Sequence, residues 1–408
     1  MKENTEWKEI ELGDVIQFNP RESIRKGEIV KKISMDKLKE FSREIVGYEE
    51  TFFTSGTKFK NGDTLVARIT PCLQNGKTAQ VNILNQNEIA FGSTEFIVLR
   101  EIENKTDKDF IYYLSISNKF RDIAIKSMTG TSGRQRAQRD VIEKTSIYLP
   151  PFLEQKKIAA ILKSLDDKIE LNNKMNETLE EMAQTMFKEW FVNFNFPNEE
   201  GKSYKDNGGK MIESELGMIP ERWRVESLDE IANYLNGLAM QKYRPEGENK
   251  LKVIKIKEMN NGVSNESDLC STLIPDQYKV YSGDILFSWS GTLKLMLWNG
   301  ETGGLNQHIF KVIPKNFPKW FVYLWTKMYM KKFTNIAKGK ATTMGHIKRE
   351  DLKKAKVVVP YEEELNKINI KIKNIFDEII KINQEIKTLS HIRDFLLPKL
   401  MSGEIRVK

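Results

Sequence analysis

Two Gly-rich loops of this 408-residue chain carry cationic and hydroxyl side chains and no acidic residue. The first reads TGTSGRQR from residue 129, and the second reads KGKATTMGHIKR from residue 338. Lys, Arg, hydroxyl groups and backbone N–H groups are the protein groups that hold phosphates, and Arg and Gln also pair with purine edges. The two loops therefore predict contacts to a polyanion such as a nucleic acid.

A second set of polar residues follows a strand-like run that begins with Gly-Asp in each half of the chain. Together with the loops it forms the predicted binding set: Arg68, Thr70, Ser132, Arg134, Gln135 and Arg136 in the first half, and Ser288, Trp289, Ser290, Lys338, Lys340, Thr342, Thr343, His346 and Lys348 in the second. The alternative is a solvated basic loop that has no ligand. The recurrence of the same chemistry at the same place in both halves favours binding.

The chain shows no complete catalytic or cofactor motif. Residues 75–78 (NGKT) match the end of a phosphate-binding loop, but Pro71 stands where that loop needs its first glycine. Residues 149–152 (LPPF) resemble an amino-methyltransferase motif, but Leu149 cannot accept hydrogen bonds from an exocyclic amine. Two cysteines and three histidines are too few for a disulfide framework or a Cys/His zinc cluster. We therefore predict no catalytic residue and no metal site.

These features lie on a chain that repeats itself after about 210 residues. Each copy runs from a Gly-rich basic loop through an apolar strand to a proline, Pro150 or Pro360, and then into a long helix. The phrase that begins at Trp7 returns at Trp223. A repeat of this length is a domain rather than a solenoid unit. The sequence therefore predicts two copies of one domain and two binding sites of one kind.

Composition shifts and turn residues set the predicted boundaries. They are a first globular domain at 1–150, a first long helix at 151–196, a linker at 197–220, a second globular domain at 221–360, a second long helix at 361–401 and a C-terminal tail at 402–408. Within the domains, strands are predicted at 64–69, 94–99, 252–256, 285–289 and 309–313, and helices at 110–126 and 318–337. The linker is polar and rich in Gly and Pro, which predicts a loop.

Apolar residues seven apart predict that the two long helices form a coiled coil. The predicted seam contains Ile158, Leu162, Leu165, Ile169, Asn172, Asn176 and Leu179 in the first helix, and Leu365, Ile368, Ile372, Ile375, Ile379, Ile382, Ile386 and Leu389 in the second. Asn172 and Asn176 stand where the second copy has isoleucine, so they either fix the register of the seam or mark a point where it frays.

A two-fold relation between the copies would set the helices antiparallel. The predicted fold class is therefore α+β, with two similar globular α/β domains separated by two long antiparallel coiled-coil helices about a pseudo-two-fold axis. One heptad inserted into each helix would add about 10 Å between the domains, or about 3 bp along a duplex.

Charge and hydropathy narrow the class of partner. The chain has 65 Lys and Arg against 57 Asp and Glu, a net charge of +8 and a pI near 9.0, a moderate excess that suits a polyanionic partner. No apolar run reaches the ~18 residues that span a bilayer, and the N-terminus does not resemble a signal peptide. We expect an intracellular protein that does not contact membranes.

With this organisation the sequence resembles the specificity (S) subunits of type I restriction–modification systems. The segments that carry the resemblance are IYLPPFLEQKKIAAIL at 147–162, ESELGMIPERW at 213–223 and LLPKLMSGEIRV at 396–407. The resemblance covers essentially the whole chain. One departure is YEEEL at 361–365, where the first copy has PFLEQ at 151–155. The departure weakens the expectation that both helix starts make equal partner contacts.

The resemblance implies that each globular copy is a target recognition domain for half of a bipartite, asymmetric site in double-stranded DNA. The helices would hold two modification subunits, which bring S-adenosylmethionine and methylate adenine at N6. Restriction subunits would add cleavage driven by ATP, with Mg. This chain would bind no cofactor, would not be an enzyme, and would act in the cytoplasm of a bacterium or archaeon.

Three other functions compete with this interpretation. A stand-alone sequence-specific DNA-binding protein without enzyme partners would bind its site tightly by itself. A single-chain enzyme would need the nucleotide, methyl-donor or metal motifs that the sequence lacks. A coiled-coil scaffold leaves the paired globular domains unexplained.

Overall fold

The structure is a computed structural model that describes residues 6–198, 200–339 and 345–407. The chain divides into two units, one formed by Met1–Glu170 with Thr388–Lys408 and the other by Leu171–Lys387. Each of the two long helices begins in one unit and ends in the other. Lys340, Thr342 and Thr343 of the predicted binding set lie outside the described residues.

In its described part, the first unit contains ten strands and the start of the first long helix. Its strands are β1 (Lys8–Glu11), β2 (Ile16–Phe18), β3 (Ile29–Ile33), β4 (Glu49–Phe52), β5 (Thr57–Lys60), β6 (Thr64–Ala67), β7 (Thr78–Gln80), β8 (Ile89–Gly92), β9 (Phe96–Glu101) and β10 (Ser146–Leu149). Its helices are α1 (Leu12–Val15), α2 (Lys108–Ile116), α3 (Asn118–Lys126), α4 (Arg139–Glu143) and α5 (Phe152–Phe191).

Two four-stranded sheets form the globular part of this unit. One has the order β2-β9-β6-β7 and is antiparallel throughout, and the other has the order β4-β3-β8-β5 with β3 and β8 parallel. The strand Thr64–Ala67 is buried at all four positions, which fits a short apolar run at the centre of a core. The strand Lys8–Glu11 pairs antiparallel with Ser146–Leu149 and brings the start of the chain beside the entrance to α5.

Among its described residues, the second unit has twelve strands, the end of α5 and five α-helices that begin within it. Its strands are β11 (Met211–Ser214), β12 (Gly217–Pro220), β13 (Arg224–Ser227), β14 (Ala232–Asn236), β15 (Lys250–Ile254), β16 (Leu269–Ser271), β17 (Lys279–Val280), β18 (Ile285–Ser288), β19 (Lys294–Leu297), β20 (Gly303–Leu305), β21 (Ile309–Pro314) and β22 (Lys356–Val359). Its helices are α6 (Leu228–Ile231), α7 (Ile256–Asn261), α8 (Lys319–Gly339), α9 (Arg349–Lys353) and α10 (Glu362–Ser402).

The sheets of the second unit repeat those of the first strand for strand. Their orders are β14-β21-β18-β19 and β16-β15-β20-β17, and β15 and β20 are the parallel pair. The pair β13 and β22 repeats the pair β1 and β10. The repeat predicted from the sequence is therefore two domains of one topology.

Two predicted elements differ in kind from the structure. The predicted helix 110–126 is two helices, because Ser117 is extended (ψ 150°) and its hydroxyl accepts the N–H of Phe120 at the start of α3. The predicted loop 197–220 contains a β-hairpin, in which β11 and β12 pair around a turn closed by Gly217 at φ +89°. A positive φ is easy for glycine, so polar, breaker-rich sequence can fold as a tight hairpin.

In the first unit, the two long helices meet in one core. Ile158 and Leu162 at the start of α5 are fully buried, and Leu400 and Met401 at the end of α10 belong to the same apolar cluster. The two helices also share an ion pair, in which Arg393 of α10 donates to Asp166 of α5 (Nη1–Oδ1 2.9 Å). The globular core of this unit thus includes turns from both helices.

In the second unit, the helices run antiparallel side by side. Asn172 donates to Glu385 (Nδ2–Oε2 3.0 Å) and Asn176 donates to Asn383 (Nδ2–Oδ1 2.9 Å), so residue numbers rise along one helix as they fall along the other. Helix α5 continues unbroken to Phe191. The asparagines therefore lie inside the seam and do not mark a frayed end.

The predicted seam residues all face inward to some degree. Ile158, Leu162, Asn172, Leu365, Ile368, Ile372, Ile379 and Ile382 are buried, and Leu165, Ile169, Asn176, Leu179, Ile375, Ile386 and Leu389 are half-buried. Much of this burial is against the globular domains. In the second unit, Phe187 and Phe191 of α5 pack with Trp320 and Phe321 of α8.

No helix in the described ranges is both long enough and apolar enough to cross a bilayer. Both cysteines are unpaired, with Cys72 half-buried and Cys270 buried.

Candidate nucleic-acid interface

Backbone hydrogen bonds join three loop segments of the first unit. These segments are residues 68–70 after β6, the turn 93–95 between β8 and β9, and the Gly-rich loop 129–136. Arg68 N donates to the Glu95 carbonyl (2.9 Å), Thr70 N donates to the Gln135 carbonyl (2.9 Å), and Ala137 N donates to the Arg68 carbonyl (2.8 Å). The structure thus brings together three residues of the predicted binding set, namely Arg68, Thr70 and Gln135.

The Gly-rich loop is a closed hairpin. Thr129 and Arg136 exchange backbone hydrogen bonds in both directions (3.1 and 2.9 Å). Gly130 (φ +121°) and Gly133 (φ +79°) supply the left-handed backbone that the reversal needs. Two predicted residues, Ser132 and Arg134, are exposed at its tip. The loop therefore presents a hydroxyl and a cation outward from a fixed base.

The base of the loop holds a bidentate ion pair. Arg136 Nε lies 2.9 and 3.0 Å from the two carboxylate oxygens of Glu95, and Nη2 lies 2.8 Å from Oε1. The hydrogen bonds and charge of Glu95 raise the pKa of Arg136. Its side chain remains 44% exposed. Sequence reasoning missed Glu95 because it placed this residue in a strand, whereas β9 begins only at Phe96.

A further arginine lies beside Thr70. Arg121 Nη2 donates to the Gln74 carbonyl (2.8 Å), and the guanidinium lies 4.8 Å from the ring centre of Phe41. Gln74 Nε2 in turn lies 3.2 Å from Thr70 Oγ1. Burial lowers the pKa of Arg121, but a guanidinium still remains charged at neutral pH. The first cluster therefore has a cation that the sequence did not single out.

The second unit builds the same junction from different side chains. Trp289 N donates to the His308 carbonyl (3.3 Å), Ile347 N donates to the Trp289 carbonyl (2.9 Å), and Gly291 N donates to the Gly345 carbonyl (3.3 Å). The bridge between Ser290 and His346 matches the bridge between Ile69 and Arg136. Equivalent positions are therefore Arg68 and Trp289, Glu95 and His308, and Arg136 and His346.

Aromatic rings replace the ion pair in the second cluster. The Trp289 ring lies 5.7 Å from the His308 ring and 6.4 Å from the His346 ring, measured between centroids. Trp289 Nε1 donates to Asn236 Oδ1 (2.8 Å), which fixes the indole. A half-buried indole between two imidazoles offers stacking faces and ring nitrogens, whereas the first cluster offers a guanidinium and a carboxylate.

Two predicted residues of the second cluster point inward. Ser288 is fully buried, and its hydroxyl donates to the Thr292 carbonyl (2.7 Å) and accepts from Lys294 N (2.8 Å). Ser290 is also buried. In this structure Ser288 shapes the turn that presents Trp289 and does not face solvent. Lys338 and Lys348 are exposed on either side of the loop.

A cavity of about 530 Å³ lies next to His308. Its lining includes Gln241, Arg244, Lys255, Asn306, Gln307 and His308. Gln307 Nε2 lies 3.2 Å from His308 Nε2, and Lys255 is paired with Asp268, which also lines the cavity. Amide, guanidinium and imidazole groups are those that pair with base edges. Sequence reasoning could not find this cavity, because its walls come from segments as far apart as Met240 and His308, which are 68 residues apart along the chain.

Comparison with known proteins gives a consistent picture. Residues 4–181 and 220–389 match the family described as the type I restriction modification DNA specificity domain. The specificity subunit of type I restriction enzyme MjaIX from Methanocaldococcus jannaschii is 30% identical over 311 residues, which cover 74% of this chain and 69% of that protein. The specificity subunit of type I restriction enzyme HindI from Haemophilus influenzae is 26% identical over 474 residues, which cover 98% of this chain and all of that protein.

Among solved structures, the S subunit of a type I restriction-modification system from M. genitalium is similar in fold. The match has a TM-score of 0.51 and 15% sequence identity, and it covers 98% of this chain and 97% of that one. The predicted fold class, with two like α/β domains and two long antiparallel helices, is confirmed.

Proposed function

The chain belongs to the type I restriction–modification DNA specificity family, and from that premise we propose that it recognises DNA sequence for a type I restriction–modification complex. It reads a bipartite, asymmetric site, with one half-site bound by each recognition domain. The single observation that carries this function is the junction of three loops that recurs in both units with different side chains. One scaffold with two sets of reading groups suits two dissimilar half-sites.

The chemistry of the two clusters supports DNA as the ligand. Exposed cations such as Arg134 and Lys338 neutralise phosphates, and this neutralisation supplies most of the affinity that does not depend on sequence. Arg136 and the Trp289 cluster can contact base edges, which supply specificity. We propose that the protein acts on DNA in the cytoplasm of a bacterium or archaeon.

Modification and restriction subunits are the proposed protein partners, with two modification subunits held by the long helices. Apolar side chains on the helix surfaces support this docking. Phe395 of α10 is 62% exposed in the first unit, and Leu171 of α5 is 53% exposed in the second. A contiguous exposed apolar patch marks a surface that a partner covers, and in this proposal the two side chains contribute to such patches.

We propose that this chain itself catalyses nothing and binds no cofactor. S-adenosylmethionine, ATP and Mg belong to the partner subunits in this proposal. The support is the sequence, which lacks a complete methyl-donor, nucleotide or metal motif, and the character of the two clusters, whose groups are suited to hydrogen bonding and stacking.

Methylome sequencing tests the function directly. The chain is expressed with its modification subunits in a host that lacks other adenine methylation. The expected result is one methylated motif with two unlike half-sites and a gap of fixed length. Exchange of residues 1–150 for the corresponding domain of another specificity subunit changes one half-site and leaves the other.

The controls separate this function from a stand-alone DNA-binding protein. Modification subunits expressed alone methylate nothing. Two results together would contradict the proposal. The purified chain would bind its specific site as tightly without its partners as with them, and it would give no methylation when the partners are present.

A further inference from the structure

The ion pair between Arg136 and Glu95 bears on which base the first unit reads. Glu95 occupies the guanidinium edge formed by Nε and Nη2. Among the residues that the structure describes, the other edge, between Nη1 and Nη2, has one contact, a long one of 3.5 Å from Nη1 to the Arg134 carbonyl, which leaves this edge for a ligand. An arginine held along one edge therefore presents two parallel N–H donors on the other.

The backbone beneath Arg136 is fixed on both sides. Arg136 pairs with Thr129 across the loop hairpin, and an isolated bridge joins it to Ile69 at the end of β6. By contrast, Ser132 and Arg134 are exposed at the tip of the loop. Of the exposed cations in this loop, Arg136 is the one whose backbone and side chain are both held in place before a ligand arrives.

The charge of the pair favours a base over a phosphate. A free arginine is drawn to the DNA backbone by its full positive charge. Here the Glu95 carboxylate offsets that charge while it leaves the outer N–H donors in place. A neutral pair with two aligned donors matches a neutral base edge that has two acceptors.

Guanine is the base with that edge. It presents N7 and O6 as adjacent acceptors in the major groove, whereas adenine presents N7 beside an N6 donor. Two parallel N–H donors pair with guanine in bidentate fashion and meet a donor on adenine. The geometry of the pair thus distinguishes the two purines.

We propose that Arg136 reads a guanine in the half-site of the first unit and that Glu95 is its positioning residue. This inference rests on the proposed function and adds the identity of one base to it. The second unit has His346 and His308 at the equivalent positions, so it lacks this fork. The two half-sites consequently differ at the base that this position contacts.

The test compares methylomes of complexes that carry the wild-type chain, Arg136→Ala, Arg136→Lys or Glu95→Gln. The wild-type half-site of the first unit is expected to contain a required G·C pair. In Arg136→Ala the preference for G·C over the other base pairs at that position falls by about 5- to 150-fold, which is the range for loss of one bidentate contact. Arg136→Lys keeps the charge and loses the fork, so it relaxes the same position. Glu95→Gln weakens the preference there by a smaller factor.

A matched control lies in the other unit. His346 is the residue equivalent to Arg136, and His346→Ala is expected to leave the base preferences of the first half-site unchanged. In all three Arg136 and Glu95 variants the second half-site stays as in the wild type, which shows that the complex is folded and assembled.

A binding measurement covers the case in which a variant complex methylates nothing. The wild-type complex is titrated with DNA in which 7-deazaguanine replaces the guanine, which removes the N7 acceptor alone. Weaker binding to that DNA supports the inference, and unchanged binding overturns it.

Other outcomes also overturn the inference. They are a first half-site without any G·C requirement, a guanine that is still required in Arg136→Ala, or a uniform loss of affinity across sequences, which would mark a phosphate contact. If the wild-type complex methylates no bipartite site, the proposed function itself fails. If it does, and Arg136→Ala keeps its motif, only this inference fails.

Discussion

Arg406 forms a bidentate ion pair with Glu154 in the first turn of α5, with Nε–Oε1 and Nη2–Oε2 distances of 2.7 and 2.9 Å. The indole N–H of Trp7 also reaches Glu154 (3.3 Å), and the guanidinium lies 5.7 Å from the Trp7 ring centre. In the second unit Trp223 donates to Glu364 in the same way, but the ring that covers Trp223 is Phe196, 4.9 Å away and nearly parallel. The repeat therefore keeps a Trp–Glu pair and changes its third member.

The pKa values of the two glutamates consequently shift in opposite directions. Burial acts to raise the pKa of Glu154, but the hydrogen bonds and charge of Arg406 outweigh it and hold that pKa below 4.5. Burial raises the pKa of Glu364 above 4.5, and the hydrogen bond from Trp223 offsets this only in part.

Arg406→Ala should destabilise the first unit in a way that depends on pH. A carboxylate with a depressed pKa in the folded state stabilises above its unfolded pKa, and the contribution disappears as pH falls through the folded value. The unfolding temperature should thus drop by a few degrees at pH 7 and converge with the wild type as the pH falls through the depressed pKa of Glu154. Thermal unfolding followed across pH measures this. The control is Arg139→Ala, which removes a half-buried arginine paired with the exposed Asp140. An equal loss of stability in both variants would count against the prediction.

Glu364→Gln should have the opposite effect on the second unit. An acid whose pKa is raised by folding stabilises the fold only while it is protonated, and this contribution is lost as pH rises. Glutamine remains neutral and can still accept the Trp223 N–H, so the variant should unfold at a higher temperature at pH 7 and match the wild type near pH 4. Hydrogen exchange of β13 and β22 reports on this unit. A lower stability at pH 7 would show that the charged form is required.

Phe187→Ala should cost the second unit about 3–5 kcal/mol, the usual range for a phenylalanine removed from a core. Phe187 is 1% exposed, and its ring lies 4.6 Å from that of Phe191 and 5.0 Å from that of Trp325. Denaturant unfolding and hydrogen exchange in β21 measure the loss. Leu171→Ala, on the exposed face of the same helix, should change stability by less than about 0.5 kcal/mol. Similar costs for both would mean that α5 contributes by helix content and not by packing.

Periodicity predicted the long helices well and their packing partners only in part. Seam residues such as Ile372 and Ile379 recur every seven positions, and the structure buries both. Phe187 lies outside the predicted seam. Its burial comes from aromatic residues of α8, far away along the chain, and local spacing cannot show which surface will cover a helix face.

The residues of the candidate site also fall into two groups, those that the sequence predicted and those that only the fold reveals. Residue types alone predicted Arg136 and His346, since loops rich in glycine, cations and hydroxyls stand out in both copies. Glu95 and His308 could not be found in this way, because a lone acid and a lone histidine beside a strand are common on any surface. They join the site only through the pairing of β6 with β9 and of β18 with β21, which is a property of topology.

Arg134→Ala should weaken DNA binding without changing which sequence is preferred. Arg134 is exposed at the tip of the Gly-rich loop, and an exposed cation at such a tip is suited to phosphate and not to a fixed base edge. Each phosphate contact contributes about −0.9 to the slope of log affinity against log salt concentration. The assembled complex carrying Arg134→Ala should therefore bind specific and unrelated duplexes less tightly by a similar factor, with a slope shallower by about one.

Titrations of both duplexes at several salt concentrations measure this effect of Arg134→Ala. The control is Lys144→Ala, which removes a lysine that lies beyond the loop and directly after α4. If affinity falls only for the specific duplex, Arg134 contacts a base and not a phosphate. The tip of the loop would then take part in base recognition.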